Sequence, residues 1–539
     1  MGEALPPSVY AAFRRTAEAH PQNAFMCVPA RPDRNWVPQG LELSFAQVLA
    51  SVDALKARYA AAGYGLGHRV ALLLEMRPDF LVHYLALNAL GCGIVPVNPD
   101  YRHDEMLYQM EHSEADLAVV LPHRLSDMQA VANDRAKPLP VLDALALPEK
   151  LPSPQTRPRT GAPDHDTEFA LLYTSGTTGR PKGCVLTNLY TLNAGDWYAR
   201  LGGVLAMLPA QERFYNPLPL FHMNHLAITV ACAILEGHCL ILTERFSPNR
   251  WWQEIAQTRA SIVHYLGVVP PLLLNQPVTE DEKRHVVRFG LGAGVEPQLH
   301  KPFEDRFGFP LCEVWGMTET GRIFCDCIEP RQIDTRAFGR PLPGLEAMVA
   351  GDDGREVPRG QEGELLVRHS AATPRYGFFA GYLKNEKATE ESWAGGWFHT
   401  GDVVRQGDDG MLYFVDRKKN IIRRSGENIA AAEIEACLQA HEDVAQVAVL
   451  AAPDDIREEE VMACIVPMAG IAPDAALATR LFDWCFDRMA YFKAPGWILF
   501  VDSLPTTGTQ KVQKTQIFRP GEDPRLRPGI IDLRARKKR

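Results

Sequence analysis

Eleven consecutive residues carry most of the chemistry legible in this chain: Tyr173-Thr174-Ser175-Gly176-Thr177-Thr178-Gly179-Arg180-Pro181-Lys182-Gly183. Glycines at 176, 179 and 183 let the backbone turn tightly and come close to a ligand. The hydroxyls of Thr174, Ser175, Thr177 and Thr178, with successive backbone N–H groups, can wrap anionic oxygens. Lys182 adds a positive charge for the outer phosphates. The spacing is not that of a P-loop, in which Lys-Ser or Lys-Thr directly follows the second glycine of a longer turn. Here Gly176 and Gly179 are close together and Gly183 follows Lys182. A phosphate cradle of another kind is expected.

Further groups recur downstream. Pro219-Leu220-Phe221-His222-Met223-Asn224 sets a histidine among apolar side chains. Gly292-Ala293-Gly294 reads as a tight turn after a strand. Glu313-Val314-Trp315-Gly316-Met317-Thr318-Glu319-Thr320 joins an aromatic ring, a hydroxyl and a carboxylate at a strand end. His399-Thr400-Gly401-Asp402 offers a carboxylate that can accept two hydrogen bonds. Asp416-Arg417-Lys418-Lys419-Asn420 interrupts an apolar pattern with charge, and Ser425-Gly426-Glu427-Asn428 follows. Lys511 lies in Thr507-Gly508-Thr509-Gln510-Lys511-Val512.

In this order and over roughly residues 25–518, these segments resemble the adenylate-forming superfamily of acyl-CoA synthetases, luciferases and nonribosomal peptide adenylation domains. The resemblance implies ATP and Mg²⁺ as cofactors and coenzyme A as co-substrate. A carboxylic acid would attack the α-phosphate, release pyrophosphate and form an acyl-AMP, from which CoA would displace AMP. By the same resemblance Thr174, Ser175, Gly176, Thr177, Thr178, Gly179 and Lys182 hold the phosphates. Thr178 and Glu319 hold Mg²⁺, a hard ion that takes oxygen ligands. Gly292, Ala293 and Gly294 pack beside adenine and Trp315 stacks on it. Gly316 and Met317 complete that turn, and Thr318 contacts the α-phosphate. Asp402 and Arg417 take the ribose hydroxyls. His222 lies by the carboxylate, and Lys511 contacts the carboxylate and the nucleotide. Lys419 is the hinge, with Arg423, Gly426 and Glu427 serving the thioester step. Three positions depart from the usual pattern: Trp315 for a tyrosine, Val295 after the glycine turn, and Thr509-Gln510 before Lys511.

The elements that must place these groups alternate. Val70–Leu74, Ile94–Val97, Phe169–Tyr173, Leu240–Leu242, Ile262–Tyr265, Val286–Leu291 and Leu311–Trp315 read as strands. Phe80–Leu90, Trp251–Gln257 and Gln298–Phe307 read as helices. Strand–helix–strand repetition predicts parallel sheets flanked by helices, with ligands at the carboxyl ends of the strands. The expected fold is α/β. It has a large N-terminal domain (1–416) of parallel-rich sheets with a small β unit, and a mobile α+β domain (417–539) hinged near Lys419.

Composition narrows the classes. A net charge of -9 argues against a nucleic-acid partner. The 11 cysteines show no C-x-x-C spacing and are expected to be buried or idle thiols in a reducing cytoplasm. The N-terminus lacks a signal pattern, and no run of 18 apolar residues predicts a membrane span. The basic end, Arg534 to Arg539, is expected to be a solvated tail. Oligomeric state is left open; the resemblance allows a homodimer. The partners are then a small carboxylic acid, ATP and CoA. Phe221–His238, Tyr265–Pro271 and Met489–Pro495 resemble crotonobetaine/carnitine-type CoA ligases, implying a short or medium polar acid. Arg322 either faces the acid's distal polar group or pairs at the surface. The alternatives are an adenylating enzyme that loads a carrier-protein pantetheine, a luciferase-like oxidase and a non-catalytic nucleotide-binding protein.

Overall fold

The computed structural model describes residues 4–174, 181–424, 427–454, 457–489, 491–506, 512–519 and 521–537, with the backbone alone for Lys419, Arg423, Glu427, Asn428 and Glu458. Packing divides the chain into two units. One holds residues 1–346 and 368–398, the other 347–367 and 399–539. The sequence placed the boundary at 416/417, whereas packing groups the small β unit with the C-terminal residues.

The larger unit contains two sheets. In the first the order is Phe324–Cys325, Leu311–Trp315, Phe289–Ala293, Ile262–Leu266, Arg213–Tyr215, Cys239–Ile241, Ala24–Val28 and Leu41–Ser44. All neighbours are parallel except the two edge pairs. In the second the order is Gly381–Tyr382, Lys182–Thr187, Glu168–Thr174, Gly93–Pro96, Arg69–Leu73, Leu117–Val120 and Val141–Asp143. The strands are continuous apolar runs because helices such as Pro78–Asn88, Asn188–Arg200 and Trp251–Thr258 cover them. Thr187 caps Asn188–Arg200, its hydroxyl accepting from the Tyr190 N–H at 3.3 Å. The expected strand Val286–Leu291 starts three residues later, at Phe289. Val286 is exposed, and the His285 side chain is drawn to the Phe307 carbonyl (2.8 Å).

The smaller unit has a sheet ordered Leu412–Arg417, Phe398–Gln406, Glu362–Arg368 and Glu346–Ala350, and a second sheet built around Val444–Asp454 and Glu458–Pro467. Helices Ala431–Gln439 and Ala475–Phe486 close its core over Ile434, Val449, Ile465 and Leu481. As far as Lys537, the last described residue, the basic end is not a free tail. Arg534 pairs with Asp454 (2.8 Å) and Arg536 with Asp483 (2.7 Å). Lys537 is buried on Glu460, which also holds buried Arg424 at 2.9 Å. Sequence alone reads such a run as solvated because the receiving carboxylates lie far upstream. All 11 cysteines are free, and only Cys437 is not buried. No helix among the described residues is long and apolar enough to cross a membrane.

Candidate active site

Four parallel neighbours of the first sheet, Arg213–Tyr215, Ile262–Leu266, Phe289–Ala293 and Leu311–Trp315, end side by side. The predicted segments 219–224, 292–294 and 313–320 follow three of these ends. Sequence-distant motifs are thereby brought to one edge, where such folds bind ligands.

Glu319 is buried, and its Oε1 accepts from Tyr382 OH at 2.8 Å. The Cys184 thiol lies alongside, pushed up by burial and by Glu319. Tyr382 belongs to the second sheet, on the strand beside Lys182–Thr187. The Lys182 ammonium lies 4.5 Å from the Tyr382 ring centre, a cation–π contact. Thr174 and Lys182 are register partners across the hairpin that frames the phosphate loop. Ser175, Gly176, Thr177, Thr178 and Gly179 lie outside the described residues, as do Gly426 and Lys511. So do the side chains of Lys419, Arg423 and Glu427. Among the described residues no group of three or more His, Cys, Asp or Glu side chains is arranged to hold a metal.

Thr318 is fixed through its carbonyl, which accepts from Tyr190 OH at 2.7 Å. Trp315 is buried, 5.6 Å from the Phe324 ring and 6.2 Å from Phe338. Gly292 sits over Tyr265, where a Cβ would fall 2.3 Å from the Tyr265 carbonyl oxygen, so only glycine fits. The Gly294 N–H donates to Glu313 Oε1. Burial pushes the Glu313 carboxyl up to about 8.

The His222 ring lies tilted against Phe221 (4.6 Å), and burial lowers its imidazole to about 4. Next to it is a buried network that the sequence did not announce. Asn224 Oδ1 accepts from Asn216 Nδ2 (2.9 Å) and pairs with His264 Nδ1 (2.9 Å). Tyr198 OH meets His264 Nε2 at 3.1 Å. Burial holds His264 at about 3, so it is neutral. One consistent assignment has Nδ1–H donating to Asn224 and Nε2 accepting from Tyr198. Residues 224–229 form a π-helical turn, a distortion frequent at functional sites. The one available signal was the polar pair Asn216 and Asn224 inside an apolar run.

In the smaller unit, Asp402 and Arg417 are register partners and pair at 2.7 Å. Asp402 is buried. Asp416 accepts from the N–H groups of Arg417 (2.7 Å) and Ala432 (2.8 Å) and from Asn420 Nδ2 (3.1 Å). It thereby fixes both sides of the short 3₁₀ turn Lys418–Asn420.

Arg322 is buried, not on the surface. Its guanidinium donates to the Tyr376 carbonyl and to Asn193 Oδ1.

Comparison with known proteins agrees with this geometry. Residues 13–382 match the family model of the AMP-binding enzymes, and 433–511 match that of the AMP-binding enzyme C-terminal domain. The chain is 29% identical over 496 residues to the crotonobetaine/carnitine–CoA ligase of Proteus mirabilis, covering 88% of this chain and 93% of that one. It is 30% identical over 501 residues to the sulfoacetate–CoA ligase of Cupriavidus necator, covering 90% and 95%. Its fold matches the o-succinylbenzoate CoA synthetase of Bacillus subtilis in complex with an acyl-adenylate intermediate. The TM-score is 0.80 at 23% identity, over 96% of this chain and 99% of that one. With a family model covering most of its length and three of the motifs gathered at one sheet edge, the chain belongs to the AMP-binding enzymes, among their acid–thiol ligases.

Proposed function

We propose that the protein uses ATP to activate a short or medium polar carboxylic acid as its acyl-AMP and passes the acyl group to coenzyme A. The observation that carries this reading is the Lys182–Tyr382–Glu319 arrangement. It sets a cation and a buried carboxylate from two sheets against the frame of a hydroxyl-rich loop. A carboxylate is a poor acyl donor because its leaving group would be oxide; adenylation replaces that oxide with AMP. Negative charge grows on phosphate oxygens as pyrophosphate departs, so fixed cations and donors there lower the barrier.

In this reading Lys182 and the loop hydroxyls bind the phosphates. Glu319 and Thr178 would hold Mg²⁺, and the ion would supply charge neutralisation. Thr318, its backbone fixed by Tyr190, presents its hydroxyl to the α-phosphate. Trp315 and the Gly292-Ala293-Gly294 turn hold adenine, and Asp402 with Arg417 takes the ribose hydroxyls. His222, kept neutral by its surroundings, borders the carboxylate without adding charge. Lys511 serves adenylation. Residues 417–539 turn at Lys419 to bring Arg423, Gly426 and Glu427 into the thioester step.

The test is product identity. With ATP, Mg²⁺, CoA and a panel of short acids, turnover should yield AMP, pyrophosphate and an acyl-CoA in equal amounts. Formation of ADP, or thioester on a carrier-protein pantetheine and none on CoA, would overturn the reading.

A further inference from the structure

Arg322 lies three residues beyond Glu319, on the turn that follows strand Leu311–Trp315. At most 3.8 Å per residue, its Cα is within about 11 Å of that of Glu319. It is only 3% exposed. Its Nη1 donates to the Tyr376 carbonyl (2.9 Å) and its Nη2 to Asn193 Oδ1 (3.2 Å). The rings of Trp197 and Tyr376 lie 5.8 and 5.9 Å away. No carboxylate among the described residues is within ion-pair distance of it. Asp196, on the same helix as Trp197, is engaged with Arg200 at 2.6 Å and acts on Arg322 only through space.

Buried Arg424 is compensated by Glu460 at 2.9 Å, whereas buried Arg34 and Arg135 are, like Arg322, held by neutral acceptors. Arg322 too has only neutral acceptors, but unlike those two it follows the Glu319 turn. Burying a cation without a counter-charge is costly unless something restores the balance. The surroundings are also shaped for it. Gly377 has φ +72°, and a Cβ there would lie 2.7 Å from Arg322 Nη2. Burial lowers the guanidinium to about 10, which still leaves it charged at neutral pH. A preformed, dehydrated guanidinium suits a planar or trigonal anion bound through two N–H groups.

We propose that Arg322 is a specificity-determining residue that reads a second anionic group, carboxylate or sulfonate, at the far end of a short acid. This rests on the acyl-CoA ligase reading and narrows its substrate class. It also sets a direction: an acid ending in trimethylammonium would meet a like charge, whereas a dicarboxylate or sulfo-carboxylate would supply the missing one.

The test measures kcat/KM for AMP formation with malonate, succinate, sulfoacetate, butyrate, crotonobetaine and carnitine. At least one of the first three should exceed butyrate about tenfold or more, and the two trimethylammonium acids should be the poorest. Arg322→Gln should lower kcat/KM for the preferred anionic acid about 100-fold, mainly through KM. Butyrate should change less than about twofold. Arg322→Lys should recover part of the loss, since a point charge replaces the fork. Gly377→Ala, which crowds Nη2, should move the same parameter in the same direction. Melting temperature and the KM for ATP follow folding and nucleotide binding separately. A wild-type preference for butyrate or carnitine with AMP still formed would overturn the proposal and leave the ligase reading standing. An equal loss for every acid in Arg322→Gln would overturn it too, by showing a structural role. If no acid supported AMP formation, both readings would fall.

Discussion

Glu319→Gln should lower the rate of acid-dependent pyrophosphate release about 10²–10³-fold while leaving the fold intact. The substitution keeps size and shape and removes one charge. Glutamine can still accept from Tyr382 OH, which now sits 2.8 Å from Oε1. Tyr382 itself stays in place because its strand is paired to Lys182–Thr187. The loss would therefore report the missing charge and not a collapsed turn. If that charge holds Mg²⁺, the apparent affinity for the ion should weaken, and part of the rate should return at high Mg²⁺. Both kcat and kcat/KM should fall together, the signature of an interaction made in the transition state. The measurement is pyrophosphate release across a Mg²⁺ titration, with melting temperature as the folding control. A variant as fast as the parent at limiting Mg²⁺ would remove Glu319 from the metal site.

What the sequence revealed and what it hid follow one physical rule. Local patterns were legible. The apolar runs at Ile262–Leu266 and Leu311–Trp315 are strands, and Pro297–Phe307 is a helix, because period and length are properties of neighbours in sequence. Motifs whose groups lie within one turn, such as Thr318 and Glu319, were legible for the same reason. Partnerships across the sheet were not. Tyr382 reaches Glu319 from 63 residues away, and Tyr198 reaches His264 from 66. Nothing in Ile262-Val263-His264-Tyr265 distinguishes a strand histidine from a site histidine. Strand order was equally hidden: Arg213–Tyr215 lies between Ile262–Leu266 and Cys239–Ile241, a crossover that no local signal encodes. The basic end misled because charge runs are usually solvated, and Asp454, Asp483 and Glu460 had no visible reason to receive it. Arg322 is the intermediate case. Its place after the Glu319 motif suggested a role, and only the packing shows that no carboxylate compensates it.

Acid should unfold the larger unit over a narrow range beginning just below pH 6.5. Burial lowers five of its histidines, His222, His225 and His238 to about 4 and His83 and His264 to about 3. Each is held neutral by its surroundings; the His238 ring, for example, accepts the Glu212 N–H and leaves its other nitrogen without a partner. An unfolded histidine titrates near 6.5. Between 6.5 and about 4, therefore, the unfolded chain binds protons that the folded chain does not, and stability falls as pH falls through that window. Above 6.5 the contribution is fully present. One such group costs about 1.4 kcal/mol per pH unit; Glu313, raised to about 8, acts in the opposite sense and offsets one of the five, leaving roughly 5 kcal/mol per unit against a net stability of about 5–15 kcal/mol. Denaturant midpoints at constant ionic strength should rise slightly from pH 8 to 7, as the Glu313 carboxyl takes its proton in the folded chain, and drop steeply from 6.5 to 5. His238→Gln should reduce the proton uptake on unfolding at pH 5.5 by about one. A stability level from pH 7 to 5 would mean that these imidazoles are protonated in the folded protein. The neutral surroundings argued for His222 and the Asn224–His264–Tyr198 network would then be wrong.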